Sequence, residues 1–181
     1  AALQAANTVI TIIALPLAIK KQWEYEIRKW EPNVKIIYAG DEDSNWAEQL
    51  PGALGVYRFG KTPAITSRLF ILGSYNTIGS TRFVQLFNGI PSQFIQFIGD
   101  EVHNFAETYA HAFNINADRV LGLSATHTRH WDDPGTKEIV RYFGEPVYDF
   151  TIQDGIDNRF LCHYNYFIHF VNMTQNELHD Y

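Results

Sequence analysis

The chain has 181 residues, 46% of them hydrophobic, 19% charged and 15% aromatic. That balance gives one folded domain with a core of its own and excludes a disordered tail. A net charge of -6 excludes nucleic-acid binding through bulk positive charge, so any such role rests on a local surface or on backbone contacts.

The first element is TVITIIAL (8–15), a continuous apolar, β-branched run expected of a strand buried on both faces. The wider run VITIIALPLAI (9–19) is broken by Pro16 and lacks a basic lead, so it is neither a signal peptide nor a membrane span. PLAIKKQWEYEIRKW (16–30) follows as a helix opened by Pro16. Ile19, Trp23, Ile27 and Trp30 form its buried stripe, and Lys20, Lys21, Arg28 and Lys29 its polar face. VKIIYAG (34–40) is the second strand, with a helix near 45–50. The Gly/Pro-rich PGALGVYRFGKTP (51–63) reads as a loop or short hairpin.

RLFILGS (68–74) is the third strand, residues 76–88 a helix, QFIQFIGD (93–100) the fourth strand and RVLGLSAT (119–126) the fifth. GTKEIVRYFG (135–144) is a helix stopped by Gly144. Beyond it, after a short helix, YFIHFVNM (166–173) reads as a strand or extended segment, and Thr174 with Glu177 makes a capping-box start to a further helix. Strand–helix alternation predicts a parallel sheet sandwiched between helices, an α/β fold. Cys162 is the one cysteine, so no internal disulfide framework exists, and a reducing cytoplasmic setting is expected.

In such sheets the ligand site lies at the carboxyl ends of the strands. The fourth strand delivers Asp100, Glu101 and His103 there, and the fifth Ser124 and Thr126. An aspartate at a buried strand's end can hold Mg²⁺ beside nucleotide phosphates, and an adjacent glutamate can orient or deprotonate an attacking water. The bland alternative for the acidic pair is a solvated first turn, where acids are favoured in any case. For Ser124 and Thr126 it is a strand-end turn bonded to its own backbone.

DEVH (100–103) and SAT (124–126) resemble motifs II and III of superfamily 2 helicases and DNA translocases. ALPLAIKKQWEYEI (14–27) resembles their motif Ia region and LGSYNTIGS (72–80) their motif Ib. LGLSATHTRHWDDPGTKEIVRYFG (121–144) is similar to the restriction-enzyme-like and excision-repair-like branch. The resemblance spans roughly residues 8–181 and implies a RecA-like, P-loop NTPase fold, with ATP and Mg²⁺ as cofactors and DNA as partner. Residues 1–150 would be a partial first motor domain, and 151–181 a linker towards a second RecA-like domain.

By the same resemblance Asp100 coordinates Mg²⁺, Glu101 positions the hydrolytic water, and His103 relays to the segment in which Ser124 and Thr126 couple hydrolysis to movement. Pro16, Lys20, Gln22, Ser74 and Thr77 become contacts to the nucleic-acid backbone, with a solvated helix face the alternative for Lys20. Arg129 contacts nucleic acid or the second domain, or else makes a surface salt bridge.

One departure stands out. Gly55-x4-Gly60-Lys61-Thr62 matches the phosphate-loop pattern as written, but a polar stretch precedes it and Pro63 follows. A working loop follows a buried strand and opens a helix, so this one reads as surface. The expectation is that the phosphate loop precedes Ala1, with AALQAAN the remainder of its helix, so that the isolated chain is inactive. Two other readings stay open: a non-catalytic RecA-like scaffold, and a small metallohydrolase using Asp100, Glu101 and some of His103, His111, His127 and His130.

Overall fold

Five short strands pair into one all-parallel sheet in the order β2-β3-β1-β4-β5. They are β1 (Ile10–Ala14), β2 (Lys35–Ala39), β3 (Leu69–Gly73), β4 (Ile95–Asp100) and β5 (Arg119–Leu123). The computed structural model describes residues 9–40, 45–58, 68–105, 107–125 and 133–171. By contact the chain divides into two compact units, Ala1–Glu145 and Pro146–Tyr181.

The sheet belongs to the first unit. β1 and β3 are buried along their whole length and β4 as far as Gly99, which is why their sequences are apolar without alternation. Helices cover both faces. On one face, Ile13 and Leu15 with Phe70, Leu72 and Ile98 meet Ile27 of α1 (Lys20–Trp30), with Ile19 and Trp23 packed alongside. The other face holds the larger core, where β-strand residues such as Ile12, Ile71 and Phe97 meet α2 (Trp46–Arg58), α4 (Thr81–Gln85) and α5 (Asp133–Phe143). This is the α/β sandwich of the RecA-like pattern.

The register sets the carboxyl ends level. Ala14 lies opposite Gly73 and Gly99, Ala39 opposite Gly73, and Asp100 opposite Leu123. Gly99 and Gly122 are paired neighbours, and side chains at either would run into the ring of Phe143. Two glycines side by side therefore let α5 lie close to the sheet just beneath the ends of β4 and β5.

Several elements differ from expectation. Residues 51–58 continue α2 through Pro51, Gly52 and Gly55 instead of forming a loop. Those three residues cost a helix about 5 kcal/mol, but Leu50, Leu54 and Tyr57 share one face and are buried. Burial gives about 1.5–3 kcal/mol for each such side chain, enough to offset the propensity. The expected helix 76–88 is two short ones, α3 (Tyr75–Ile78) and α4, each with its own serine N-cap, Ser74 and Ser80. A 3-10 turn, Leu17–Ile19, precedes α1, and Trp30 is 65% exposed rather than buried. The fifth strand ends at Leu123, so Ser124 stands just beyond it, and α5 starts at Asp133.

In the second unit, α6 (Ile152–Asp157) is opened by a reciprocal capping box between Thr151 and Asp154. Leu161 folds back against Gly155, and Phe150 lies with its ring centroid 6.2 Å from that of Phe160. Residues 162–171 are neither helix nor strand, so of the strand or extended segment expected from 166 no paired strand forms over the described part. No second strand is present among the described residues of this unit to satisfy its backbone. The expected helix start at Thr174 lies outside the described residues. No helix among those described is long and apolar enough to cross a membrane.

Candidate functional site

Asp100 ends β4, and its carboxylate turns towards the α1 face of the sheet. There the Trp23 indole Nε1–H donates to Oδ2 at 2.7 Å. A half-buried charge-assisted bond of this kind fixes the carboxylate's orientation. Oδ1 makes no bond among the described residues. The spacing of β1 and α1 delivers Trp23 to this point, a task beyond the buried stripe that its helical spacing predicts.

Glu101 follows in the left-handed region, at φ 54° and ψ 53°. For a residue with a Cβ this costs about 1–3 kcal/mol. The conformation reverses the chain into the 3-10 turn Val102–Asn104 and carries the carboxylate across towards β5. Glu101 Oε2 is buried and has no hydrogen-bond partner among the described residues.

That strained corner is gripped from α3. The Tyr75 hydroxyl donates to the backbone carbonyl of Asp100 and lies 3.5 Å from that of Glu101. Burial pushes the Tyr75 phenol up; the Asp100 and Glu101 charges act in the same direction, and a side-chain bond to Asn104 opposes them. The hydroxyl therefore stays protonated and remains a donor. Its ring meets Phe105 edge-on at 4.9 Å and stacks on Tyr109 at 6.3 Å.

His103 sits between the two strand ends. Its Nδ1 is 2.7 Å from Ser124 Oγ and 3.4 Å from Glu101 Oε2. The first is a hydrogen bond. The second is a close approach whose direction does not make one, which is why Oε2 stays unsatisfied. So the structure brings Asp100, Glu101, His103 and Ser124 together, while Thr126 and Arg129 lie outside the described residues.

The residues expected to contact nucleic acid occupy the neighbouring strand ends. Pro16 lies just past β1 and Ser74 just past β3, and those two strands are paired. Thr77 is one turn further on. Ser74 Oγ accepts from the Thr77 backbone N–H at 3.3 Å and donates to Thr77 Oγ1 at 3.1 Å, so its first task is capping. Gly40, at φ 99°, packs flush against both hydroxyls, and a Cβ there would collide with them. Only glycine suits that backbone and that approach, a requirement unreadable from VKIIYAG. Gln22 is exposed on α1, and Lys20 lies with Nζ 5.7 Å from the centre of the Tyr38 ring.

A divalent metal fits this corner in its donor chemistry. Mg²⁺ is held by one or two carboxylates together with substrate phosphates and waters, and Asp100 offers an oriented carboxylate with one oxygen uncommitted. Glu101 Oε2 makes no hydrogen bond among the described residues, so its capacity as an acceptor is unspent. No group of three or more His, Cys, Asp or Glu side chains among the described residues could hold a metal by itself, which is the arrangement a metallohydrolase reading needs. Gly55 of the phosphate-loop match lies within α2, where a helical backbone cannot cradle phosphate; Gly60, Lys61 and Thr62 lie outside the described residues.

Residues 2–129 match the family model described as type III restriction enzyme, res subunit. No curated protein matches the chain.

Proposed function

Since this chain belongs to the type III restriction enzyme res-subunit family, a helicase-like group within superfamily 2, we propose that it forms part of the first motor domain of an ATP-dependent DNA translocase. Residues 1–150 are the motor part, and 151–181 lead towards a second RecA-like domain. The observation that carries the reading is the position of His103 Nδ1, 2.7 Å from Ser124 Oγ and 3.4 Å from Glu101 Oε2. It links the acidic end of β4 to the end of β5, the two places where hydrolysis and movement have to be coupled.

In this reading Asp100 supplies the carboxylate for Mg²⁺, oriented by Trp23. Mg²⁺, when bound, offsets the charge of the nucleotide phosphates. Glu101 orients the attacking water and takes its proton. His103 senses the state of Glu101 and passes it to Ser124 and Thr126. Pro16, Gln22, Ser74, Thr77 and Arg129 contact the nucleic-acid backbone. Such contacts suit a chain of net charge -6, because Gln22, Ser74 and Thr77 offer amide and hydroxyl groups and only Arg129 among the five is a cation. A scaffold that has lost catalysis is the competing reading.

The test is Glu101→Gln in the full-length protein. DNA-stimulated ATP turnover should fall by about 10²–10⁴-fold, with nucleotide binding retained in a filter or fluorescence assay. Hydrolysis unchanged from wild type would exclude Glu101 as the group that activates the water. A wild-type protein without any nucleotide hydrolysis would favour the scaffold.

A further inference from the structure

Tyr75 lies between the two halves of the proposed site. It is the first residue of α3, immediately after the Ser74 cap and two residues before Thr77. Its hydroxyl, however, is bonded across the sheet end to the carbonyl of Asp100, beside that of Glu101. The side chain thus spans from the turn that would hold a nucleic-acid strand to the backbone that sets the Glu101 carboxylate.

Three features make that span mechanically tight. Ser74 and Thr77 are locked to each other by two hydrogen bonds, so the turn moves as a unit. The Tyr75 ring is wedged between Phe105 and Tyr109, so it cannot swing without shifting the segment after the acidic motif. Glu101 is held in the left-handed region, a conformation that persists only while its surroundings impose it. The Tyr75 bond to the Asp100 carbonyl, which directly precedes that residue, is one such constraint.

We propose that Tyr75 is a positioning residue that couples occupancy of the Ser74–Thr77 turn by a nucleic-acid backbone to the conformation of Glu101. The coupling rests on the roles proposed above for the acidic corner and for the Ser74–Thr77 turn. Nucleic acid engaging Ser74 and Thr77 draws the start of α3, and the Tyr75 hydroxyl transmits that displacement to the Asp100 and Glu101 carbonyls. The left-handed corner then tightens or relaxes, and Glu101 Oε2 is carried towards or away from the water it must orient. Stimulation of hydrolysis by nucleic acid follows from one side chain, with no contact between nucleic acid and nucleotide.

The variant is Tyr75→Phe, which keeps the ring packing and removes only the hydroxyl. In the full-length protein, and without nucleotide, hydrogen exchange of the 100–104 amides is followed with and without a short duplex DNA. Wild type should change protection there on adding DNA, and Tyr75→Phe should not, although both bind the DNA with affinities within about twofold. In steady-state assays the ratio of DNA-stimulated to unstimulated kcat should fall by about tenfold in the variant, with the KM for ATP unchanged.

An unaltered ratio and an unaltered exchange response in a folded Tyr75→Phe protein overturn the coupling and leave the ATPase reading intact. Wild-type protein that hydrolyses ATP with no response to DNA overturns both. A Tyr75→Leu variant, which loses the ring as well, separates packing from the hydroxyl. A lower melting temperature in Tyr75→Leu, with the uncoupling already complete in Tyr75→Phe, supports the proposal; uncoupling seen in Tyr75→Leu alone overturns it.

Discussion

β4 and β5 are adjacent, parallel and in register, yet they hold their carboxyl ends in opposite ways. β4 is buried through Gly99, and its end is gripped from both faces, by Trp23 on the carboxylate and Tyr75 on the carbonyl. β5 is partly exposed along its length, and Ser124, just past its end, bonds to His103, a residue that the β4 side itself supplies. The acidic end of β4 is therefore anchored in the core, and the segment just past β5 leans on it. In the proposed reading that asymmetry has a use: the acidic corner keeps its geometry while the segment beyond β5 shifts.

The largest test of the contrast is in the strands themselves. Phe97, fully buried in β4 and ringed by Phe105, Tyr142 and Phe143, should cost about 3–5 kcal/mol as Phe97→Ala. Its ladder neighbour in β5, Val120, is half-buried, and Val120→Ala should cost about 1 kcal/mol. Equal losses in chemical denaturation would mean that β5 is as firmly held as β4.

Next comes the carboxylate grip. A hydrogen bond to a charged group contributes about 1.5–3 kcal/mol, so Trp23→Phe should weaken Mg²⁺ binding by about tenfold or more with the fold kept. Isothermal titration with Mg²⁺ and a non-hydrolysable nucleotide reads this directly. Unchanged affinity would show that Asp100 orients itself without Trp23.

The smallest effect belongs to β5. Ser124→Ala removes the hydrogen bond to His103, worth about 1 kcal/mol, and should slow DNA-stimulated hydrolysis by no more than about fivefold. The melting temperature should hardly move. A loss as deep as that of Glu101→Gln would make Ser124 part of the chemistry rather than of its coupling.

The site is legible in the sequence to unequal depth. Asp100, Glu101 and His103 are readable because they follow one apolar run and Ser124 because it follows another, and a strand's end is a fixed place in a parallel sheet. Trp23, Tyr75 and Gly40 are not. Trp23 carries the spacing of a core residue, Tyr75 sits in a turn read for its hydroxyl neighbours, and Gly40 is a strand-end glycine like others. Each acquires its task from a partner at least 25 positions away in the chain, and no local pattern encodes such a partner. The loop expected at Pro51 fails for the converse reason: local propensity speaks clearly, and burial of Leu50, Leu54 and Tyr57 overrides it.

Periodicity, β-branched runs and their order along the chain suffice for the all-parallel sheet, its covering on both faces and the acidic corner behind the fourth strand. These are local quantities that survive any packing. How that corner is held is another matter, settled by contacts across the fold. The left-handed turn at Glu101, the indole on Asp100 and the phenol beneath both come from elements far apart in the chain, whose meeting is fixed by strand order and register. Those are properties of the assembled sheet, and no single segment carries them.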